Sequence, residues 1–161
     1  MMKTELPKRK RIRLETYDYA SSGAYFVTIC IYDRVAMLWE QVGADIIRPQ
    51  ELSKYGRIVE SAILSLSDHY ENVTVDKYCI MPDHVHMILF IHSEVNGRMI
   101  SAPTLSTIVG QMKRWVSGRI GFSMWQKSFY DRIIRDEEEY KQIWKYIDEN
   151  PIKIRIAGEH R

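Results

Sequence analysis

The sequence predicts an α+β fold in which an antiparallel sheet carries its helices on one face. Segments dense in β-branched and aromatic residues alternate with segments whose apolar residues recur every three or four positions, the spacing of a helical face. The length of 161 residues fits one domain around one core. We therefore expect a single domain over residues 1–161, beginning with a basic N-terminal arm at 1–16.

The first part of the chain supplies three strands and one helix. Aromatic and β-branched residues predict a strand at 24–32, and apolar residues at helical spacing predict a helix at 51–69. Two further strands are predicted at 73–81 and 85–92. They join as a hairpin at Pro82, because proline cannot donate a hydrogen bond to a strand ladder.

The second part repeats the pattern of helix and strand. A helix at 105–120, opened by Thr104 or Ser106, precedes a fourth strand at 129–135. Four acidic residues from Asp136 begin a last helix at its positive end, and we expect Pro151 to end it. Segments 43–50 and 93–104 are predicted as surface loops. The order βαββαβ plus a C-terminal helix describes a ferredoxin-like sandwich.

His84 and His86 are the most informative residues of the chain. Side chains two apart on a strand point to the same face, so both imidazoles project together. Two imidazoles make half of a site for a divalent transition ion and leave other positions for water or substrate. Two histidines on a polar sheet face with no metal would give the same pattern.

Tyr146 and Asn150 extend this candidate site. They lie four residues apart in the last helix, hence on one helical face, which a helix beside the central hairpin would aim at the histidines. A phenol attacking a phosphodiester would form a covalent phosphotyrosine, which keeps the energy of the broken bond and allows rejoining. The alternative is that Tyr146 packs in the core and Asn150 ends the helix before Pro151.

Other tyrosines compete for the role of nucleophile. Tyr140 lies on a different face of the last helix from Tyr146, and Tyr130 is on the predicted fourth strand. Neither has an Asn or Gln one turn later. Tyr78 falls on the strand before the hairpin turn, where a core or sheet-face role is simpler.

Basic residues form two clusters although the net charge is only +2. A positive arm suits a phosphate backbone, and aromatic side chains among cations suit base stacking. The candidate DNA-binding residues are Lys8, Arg9, Lys10, Arg11 and Arg13 in the arm, and Lys113, Arg114, Lys127 and Arg132 in the second cluster. A solvated tail, and buried aromatics below surface charges, would look the same.

Composition excludes several classes of protein. No apolar run approaches the roughly 20 residues that span a bilayer, and the start lacks the apolar segment of a signal peptide, so we expect a cytoplasmic protein without a membrane partner. Cys30 and Cys79 have no CxxC spacing and are predicted to be small core residues.

The combined pattern resembles the single-tyrosine HUH transposases (IS200-like), and particularly the branch of REP-associated tyrosine transposases. The resemblance rests on His84 and His86 and on the late helical Tyr146 with Asn150 one turn on. The segments of this chain that resemble the family are residues 17–19, 23–29, 81–86, 125–135 and 146–151. Many members have Asn where this chain has Asp83, a difference that would give a histidine a carboxylate neighbour or have no effect.

The resemblance implies both a chemistry and a substrate. It implies that His84 and His86 bind Mg²⁺ or Mn²⁺ with Asn150 as a further ligand. It also implies that Tyr146 attacks single-stranded DNA, leaving a 5′-phosphotyrosine and a free 3′-OH. The implied partners are single-stranded DNA hairpins at palindromic repeats or element ends. Related enzymes form dimers that exchange the tyrosine helix, whereas some members of the palindrome-associated branch look able to act alone, so the resemblance leaves open whether this chain is a homodimer.

We therefore expect metal-dependent nicking and rejoining of single-stranded DNA, in transposition or in processing of palindromic-repeat hairpins. The alternative is a non-catalytic ferredoxin-like protein that binds single-stranded nucleic acid, which would need no metal. A barrel metal hydrolase with a HxH motif needs about 250 residues, more than this chain has.

Overall fold

A four-stranded antiparallel sheet is the centre of the fold. The computed structural model describes residues 23–32, 36–42, 46–101 and 103–159, and only the backbone of 41–42, 46–50 and 152–159. Within these ranges the elements in chain order are β1 Gly23–Cys30, β2 Trp39–Val42, β3 Ile46–Leu52, α1 Lys54–His69, β4 Val73–Ile80, β5 His84–Ile91, β6 Glu94–Val95, β7 Arg98–Met99, α2 Leu105–Ile120, β8 Tyr130–Ile134 and α3 Glu137–Glu159.

The order of strands in the sheet is β4-β5-β1-β8, with every neighbouring pair antiparallel. Helix α1 links β1 to the β4–β5 hairpin, and α2 links β5 to β8. The predicted α+β class and the βαββαβ order of its main elements are thus confirmed.

The two faces of the sheet have different coverings. On the core face, odd-numbered residues of β1 and β5 such as Val27, Val85 and Leu89 pack with the apolar sides of α1 and α2. On the opposite face, which we call the α3 face, Ile88 packs with Ile143 and Ile147 of α3. The period of two along a strand therefore separates a closed core from the face that carries the histidines.

Local signals in the sequence set the helix ends. The Ser53 hydroxyl caps α1 by accepting from the Gly56 N–H, and Thr104 caps α2 in the same way, as predicted. Gly121 ends α2 in the left-handed conformation that glycine favours. Gly56 is also needed for packing, because a Cβ there would lie 2.1 Å from the carbonyl oxygen of Leu38.

Three local predictions are wrong. Segment 43–50 is predicted as a loop, but residues 46–50 belong to β3, which pairs with β2. A strand tolerates Pro49 here because this two-stranded sheet leaves one side of β3 unpaired. Segment 93–104 contains the short hairpin β6–β7. Helix α3 continues beyond Pro151, since a proline removes one hydrogen bond of the helix without always ending it.

The basic arm at 1–16 lies outside the described residues. In the part of the chain that the structure describes, no helix is long and apolar enough to cross a membrane.

Candidate active site

The turn between β4 and β5 is fixed by backbone hydrogen bonds from both sides. The Met81 N–H donates to the carbonyl of His84 at 2.8 Å, the Ile31 N–H to that of Asp83 at 3.0 Å, and the Leu38 N–H to that of Pro82 at 2.8 Å. Because Ile31, which follows β1, and Leu38, which precedes β2, both hold the turn, the first residue of β5, His84, has a defined position.

His84 and His86 face one another on the α3 face. Their Nε2 atoms are 3.1 Å apart. The remaining nitrogen of each ring has a side-chain partner: Nδ1 of His84 lies 2.7 Å from Asp83 Oδ1, and Nδ1 of His86 lies 2.8 Å from the Thr28 hydroxyl. Both rings are thus oriented from behind, and their Nε2 atoms lie within hydrogen-bond distance of each other.

The partners determine where the ring protons sit. An ionised carboxylate only accepts, so Asp83 keeps a proton on Nδ1 of neutral His84 and leaves Nε2 with a lone pair. The hydroxyl of Thr28 can donate or accept, so it is compatible with either tautomer of His86. Burial, with a smaller contribution from His84, lowers the pKa of His86 to about 4, so this ring is neutral near pH 7.

Tyr146 lies beside this pair. Its ring centroid is 5.4 Å from that of His86 and 6.2 Å from that of Phe26, in edge-on geometry. Phe26 itself stacks on His86 at 5.3 Å. Because Tyr146 remains 45% exposed, a substrate can approach it from solvent.

Helix α3 is docked onto its own sheet by apolar and polar contacts. Ile143 and Ile147 are buried against the sheet. The Lys77 ammonium is 2.8 Å from Asp148 Oδ1 and 4.0 Å from the centroid of the Trp144 ring. These contacts within one chain bring Tyr146 to the histidines.

The competing tyrosines fall into two groups. The Tyr140 hydroxyl donates to Asp76 at 2.5 Å, and this bond with burial raises the pKa of Tyr140 to about 12. Tyr78 packs toward the core face, where burial and a bond to Glu60 raise its pKa to about 12. Tyr130 pairs with Thr28 and so shares the α3 face with the histidines. Tyr130 is therefore the sharpest control for Tyr146.

Asn150 lies one turn after Tyr146 and is partly buried. Its Nδ2 atom is buried with no hydrogen-bond partner among the described residues. The oxygen and nitrogen of an amide exchange places by a flip, so the carbonyl oxygen can occupy this position instead. An unpartnered buried amide is what a ligand oxygen would look like before its ion is bound.

The residues present fit a divalent ion. Two ligands at right angles on an ion, each about 2.1 Å from it, lie about 3 Å apart, which matches the 3.1 Å between the Nε2 atoms of His84 and His86. No group of three His, Cys, Asp or Glu side chains suited to a metal occurs among the described residues. The further ligands would thus be Asn150, water or substrate oxygens.

The cysteines flank the histidines rather than adding ligands. Strand pairing places Cys30 opposite His84 and Cys79 opposite His86, and both thiols are free. Burial raises the pKa of the Cys79 thiol to about 11, so it stays protonated. The prediction of a core residue is confirmed for Cys79, while Cys30 is only half-buried.

The predicted DNA-binding residues have different environments. The five in the arm, Lys8, Arg9, Lys10, Arg11 and Arg13, lie outside the described residues. The Lys113 ammonium donates to the Gln126 carbonyl at 2.6 Å, and Arg132 forms an ion pair with Glu139. Arg114 and Lys127 are exposed and line a groove beside α2.

Sequence reasoning missed Thr28 and Phe26. Their role depends on the pairing of β1 with β5, which places Thr28 opposite His86. The alternation within β1 shows only that the two residues share a face. Nothing in the local sequence indicates which strand lies beside them.

Comparisons with known proteins find two relatives of this chain in Haemophilus influenzae. No family model matches the chain. A Haemophilus influenzae protein described as "Uncharacterized protein" is 31% identical over 163 residues, covering 89% of this chain and 88% of its own length. A second protein of that organism, named "Putative REP-associated tyrosine transposase", is 26% identical over 144 residues. The match covers 84% of this chain and 74% of the length of that protein.

A solved structure has the same fold. It is described as "Structure of the REP associates tyrosine transposase bound to a REP hairpin". The TM-score is 0.60 at 20% identity, over 81% of this chain and 67% of that one.

Proposed function

Because this chain belongs to the IS200-like/REP-associated tyrosine transposase superfamily, we propose that it nicks and rejoins single-stranded DNA with Tyr146 as the nucleophile. The observation that carries the proposal is the position of the Tyr146 ring, 5.4 Å from His86, whose Nε2 faces that of His84. A nucleophile beside two oriented imidazoles suits transfer of a phosphoryl group.

The reaction exchanges one phosphoester bond for another. The Tyr146 hydroxyl loses its proton to water and its oxygen bonds to phosphorus, while the bond from phosphorus to the 3′ oxygen breaks and that oxygen takes up a proton from water. The products are a 5′-phosphotyrosine and a free 3′-OH. Attack by a 3′-OH on the phosphotyrosine reverses the step and rejoins DNA without an external energy source.

His84, His86 and Asn150 would hold a divalent ion, Mg²⁺ or Mn²⁺. Such an ion polarises a phosphoryl group and stabilises the leaving oxygen, an effect of several kcal/mol. Asp83 and Thr28 orient the two imidazoles, and Phe26 packs on both His86 and Tyr146. The chain thus supplies a fixed nucleophile and a fixed ligand pair before the substrate arrives.

We propose a DNA hairpin with a single-stranded flank as the substrate. The structural relative is described as bound to a REP hairpin, and the exposed Arg114 and Lys127 of this chain suit a phosphate backbone. The basic arm, from Lys8 to Arg13, would add sequence-independent contacts. The reaction would serve transposition or the processing of palindromic repeats.

One chain is proposed to suffice for cleavage. Helix α3 packs on the sheet of its own chain and places Tyr146 beside that chain's histidines. A mixture of Tyr146→Phe and His86→Ala proteins should then form no adduct. Recovery of adduct in the mixture would instead indicate a dimer that exchanges α3.

The test is covalent capture. The protein is incubated with a labelled library of single-stranded hairpins and Mn²⁺, with and without EDTA, and the products are separated by denaturing electrophoresis and mass spectrometry. We expect a metal-dependent adduct on Tyr146 that is lost in Tyr146→Phe and kept in Tyr130→Phe. Because both variants lose only a phenol hydroxyl, one from α3 and one from the sheet face that α3 covers, they are closely matched.

Other outcomes would identify other functions. An adduct that persists in Tyr146→Phe would move the nucleophile elsewhere. Cleavage without an adduct would indicate a metal nuclease. Binding without cleavage would indicate a non-catalytic ferredoxin-like protein that binds single-stranded DNA.

A further inference from the structure

A groove of about 370 Å³ lies between the second half of α2 and the segment that follows it. We call it the basic groove. Its lining includes Arg114, Ser117, Ser123, Trp125 and Lys127. The proposed function uses Arg114 and Lys127 only as general contacts to a phosphate backbone, and it gives Ser117, Ser123 and Trp125 no role.

The chemistry of the basic groove is that of an anion site. Arg114 brings a guanidinium, Lys127 an ammonium, and Ser117 and Ser123 bring hydroxyls. Among the described residues that line it there is no Asp or Glu. Guanidinium and ammonium groups without a competing carboxylate are the usual protein partners of phosphate.

Trp125 gives an independent indication of a ligand. It is 6% exposed, and its indole Nε1 is buried without a hydrogen-bond partner among the described residues. An indole N–H only donates, and leaving it buried and unpaired costs about 1–3 kcal/mol. Trp125 lines the basic groove, and a turn of its indole toward the groove would let an acceptor oxygen bound there satisfy the N–H.

Hydrogen bonds join the basic groove to the end of the sheet where His84 lies. The Gln126 N–H, next to Trp125, donates to the Cys30 carbonyl at 2.9 Å. Cys30 is the residue opposite His84, and the following Ile31 N–H donates to Asp83. The groove and the histidines are therefore two parts of one end of the molecule.

Lys113 fixes one wall of the basic groove. Its ammonium is 2.6 Å from the Gln126 carbonyl and 3.4 Å from those of Lys127 and Ser128. Three carbonyls use its three donors, so Lys113 positions the loop. Arg114 and Lys127 are left as the cations for a ligand.

We propose that the basic groove binds one backbone phosphate of the single-stranded flank that leads to the cleavage site, with the Trp125 N–H donating to a phosphate oxygen. The inference rests on the proposed function, since that supplies the single strand. Free phosphate or a mononucleotide has the same chemistry, but the hydrogen-bonded link to the Asp83–His84 turn favours a strand that continues to the histidines.

The first test measures binding without chemistry. In a Tyr146→Phe background with EDTA, the affinity for a fluorescent single-stranded oligonucleotide is measured by anisotropy over a range of NaCl concentrations. The double change Arg114→Ala with Lys127→Ala should lower affinity about 10-fold and lessen the salt slope by about 0.7, the value for one phosphate on a single strand.

The control is Arg98→Ala, which removes an exposed cation of β7 beyond the other end of β5. The oligonucleotide affinity of this variant, and the slope of that affinity with salt, should equal those of the Tyr146→Phe protein. Equal losses in the control and the double variant would indicate a general charge effect and overturn the proposal, as would an unchanged slope in the double variant.

The second test follows the indole N–H of Trp125 by ¹H–¹⁵N correlation spectroscopy. Its signal, assigned with Trp125→Phe or by elimination with variants of the other tryptophans, should shift when oligonucleotide is added. Inorganic phosphate and a mononucleotide should produce that shift only at far higher concentrations. Tighter binding of either small anion than of DNA would overturn the proposal.

The two proposals fail separately. If Tyr146 forms no adduct, the binding experiments still test the basic groove as a phosphate site on DNA. If the double variant binds DNA as the parent does while adduct forms on Tyr146, the groove proposal alone is wrong.

Discussion

The two faces of strand β5 show a contrast within one short segment. On the core face, Val85, Met87 and Leu89 are fully buried against apolar side chains of α1 and α2. On the α3 face, His84 and His86 alternate with them and meet polar partners. A side chain of suitable volume satisfies the core face, whereas the α3 face needs a specific partner for each polar atom.

The contrast also separates stability from chemistry. Burial of an aliphatic side chain contributes about 1.5–3 kcal/mol, and a core cavity costs more than that. A partly exposed ion pair such as Lys77 with Asp148 contributes at most about 1 kcal/mol. We therefore expect substitutions of the buried aliphatic residues on the core face to change unfolding, and substitutions of the two histidines on the α3 face to change the reaction.

The largest expected effect comes from comparing a substitution on the α3 face with one on the core face. His84→Ala should reduce adduct formation by more than about 10²-fold, because the bound ion supplies several kcal/mol. Its free energy of unfolding should change by less than about 1 kcal/mol, because the side chain is 24% exposed and its hydrogen-bond partners, Asp83 and His86, are polar groups at the edge of the site. Adduct formation is measured with excess hairpin, and unfolding is measured in urea with EDTA.

Leu89→Ala is the matched control on the same strand. Loss of this buried side chain should cost about 2–5 kcal/mol of stability and leave adduct formation per folded molecule unchanged. A stable Leu89→Ala protein, or a His84→Ala protein with full activity, would contradict the division between the two faces.

The pH dependence of stability should sharpen the contrast. The imidazole of His86 has a usual pKa of 6.5, and burial lowers it to about 4 in the folded protein. Between these values the unfolded chain binds more protons, so the free energy of unfolding rises with pH. The stabilising contribution is full above pH 6.5 and is lost as pH falls to about 4, a change of about 3 kcal/mol.

Urea unfolding of metal-free protein between pH 7 and pH 4 measures this loss. His86→Gln should remove that part of the pH dependence, while the same change at the exposed His69 should leave it in place. If wild type and His86→Gln lose equal stability on acidification, burial of His86 is not the cause.

The sequence predicted the core face better than the α3 face. The helical spacing of Val59, Ile63 and Leu66, and that of Ile108 and Val116 in α2, determined which sides of α1 and α2 are buried. Such patterns are local, so a window of a few turns contains them. The α+β class followed from their order along the chain.

The site was predicted only in part because its contacts join distant segments. The histidine pair and the Tyr146 spacing were visible, since each is a short motif. The bond between Thr28 and His86 joins residues 58 positions apart, and the closure of the Asp83 turn depends on Ile31 and Leu38. Strand pairing sets these contacts, and alternation within one strand does not specify its neighbour.

The smallest expected effect concerns the side chains behind the histidines. Asp83 holds His84 and Thr28 holds His86, each through Nδ1. Asp83→Ala should lower Mn²⁺ affinity about 10-fold, because partners of this kind orient a ligand and raise its basicity. The affinity is measured by calorimetry without DNA, so the result does not depend on activity.

Two conservative variants separate orientation from charge. Asp83→Asn can still accept from Nδ1 but has no charge, so it should bind Mn²⁺ more tightly than Asp83→Ala and less tightly than wild type. Thr28→Val keeps the shape of its side chain and loses the hydroxyl, so its affinity should also fall. Wild-type affinity in both Asp83 variants would mean that the backbone turn alone orients His84, and the α3 face would then resemble the core face more closely than its hydrogen bonds suggest.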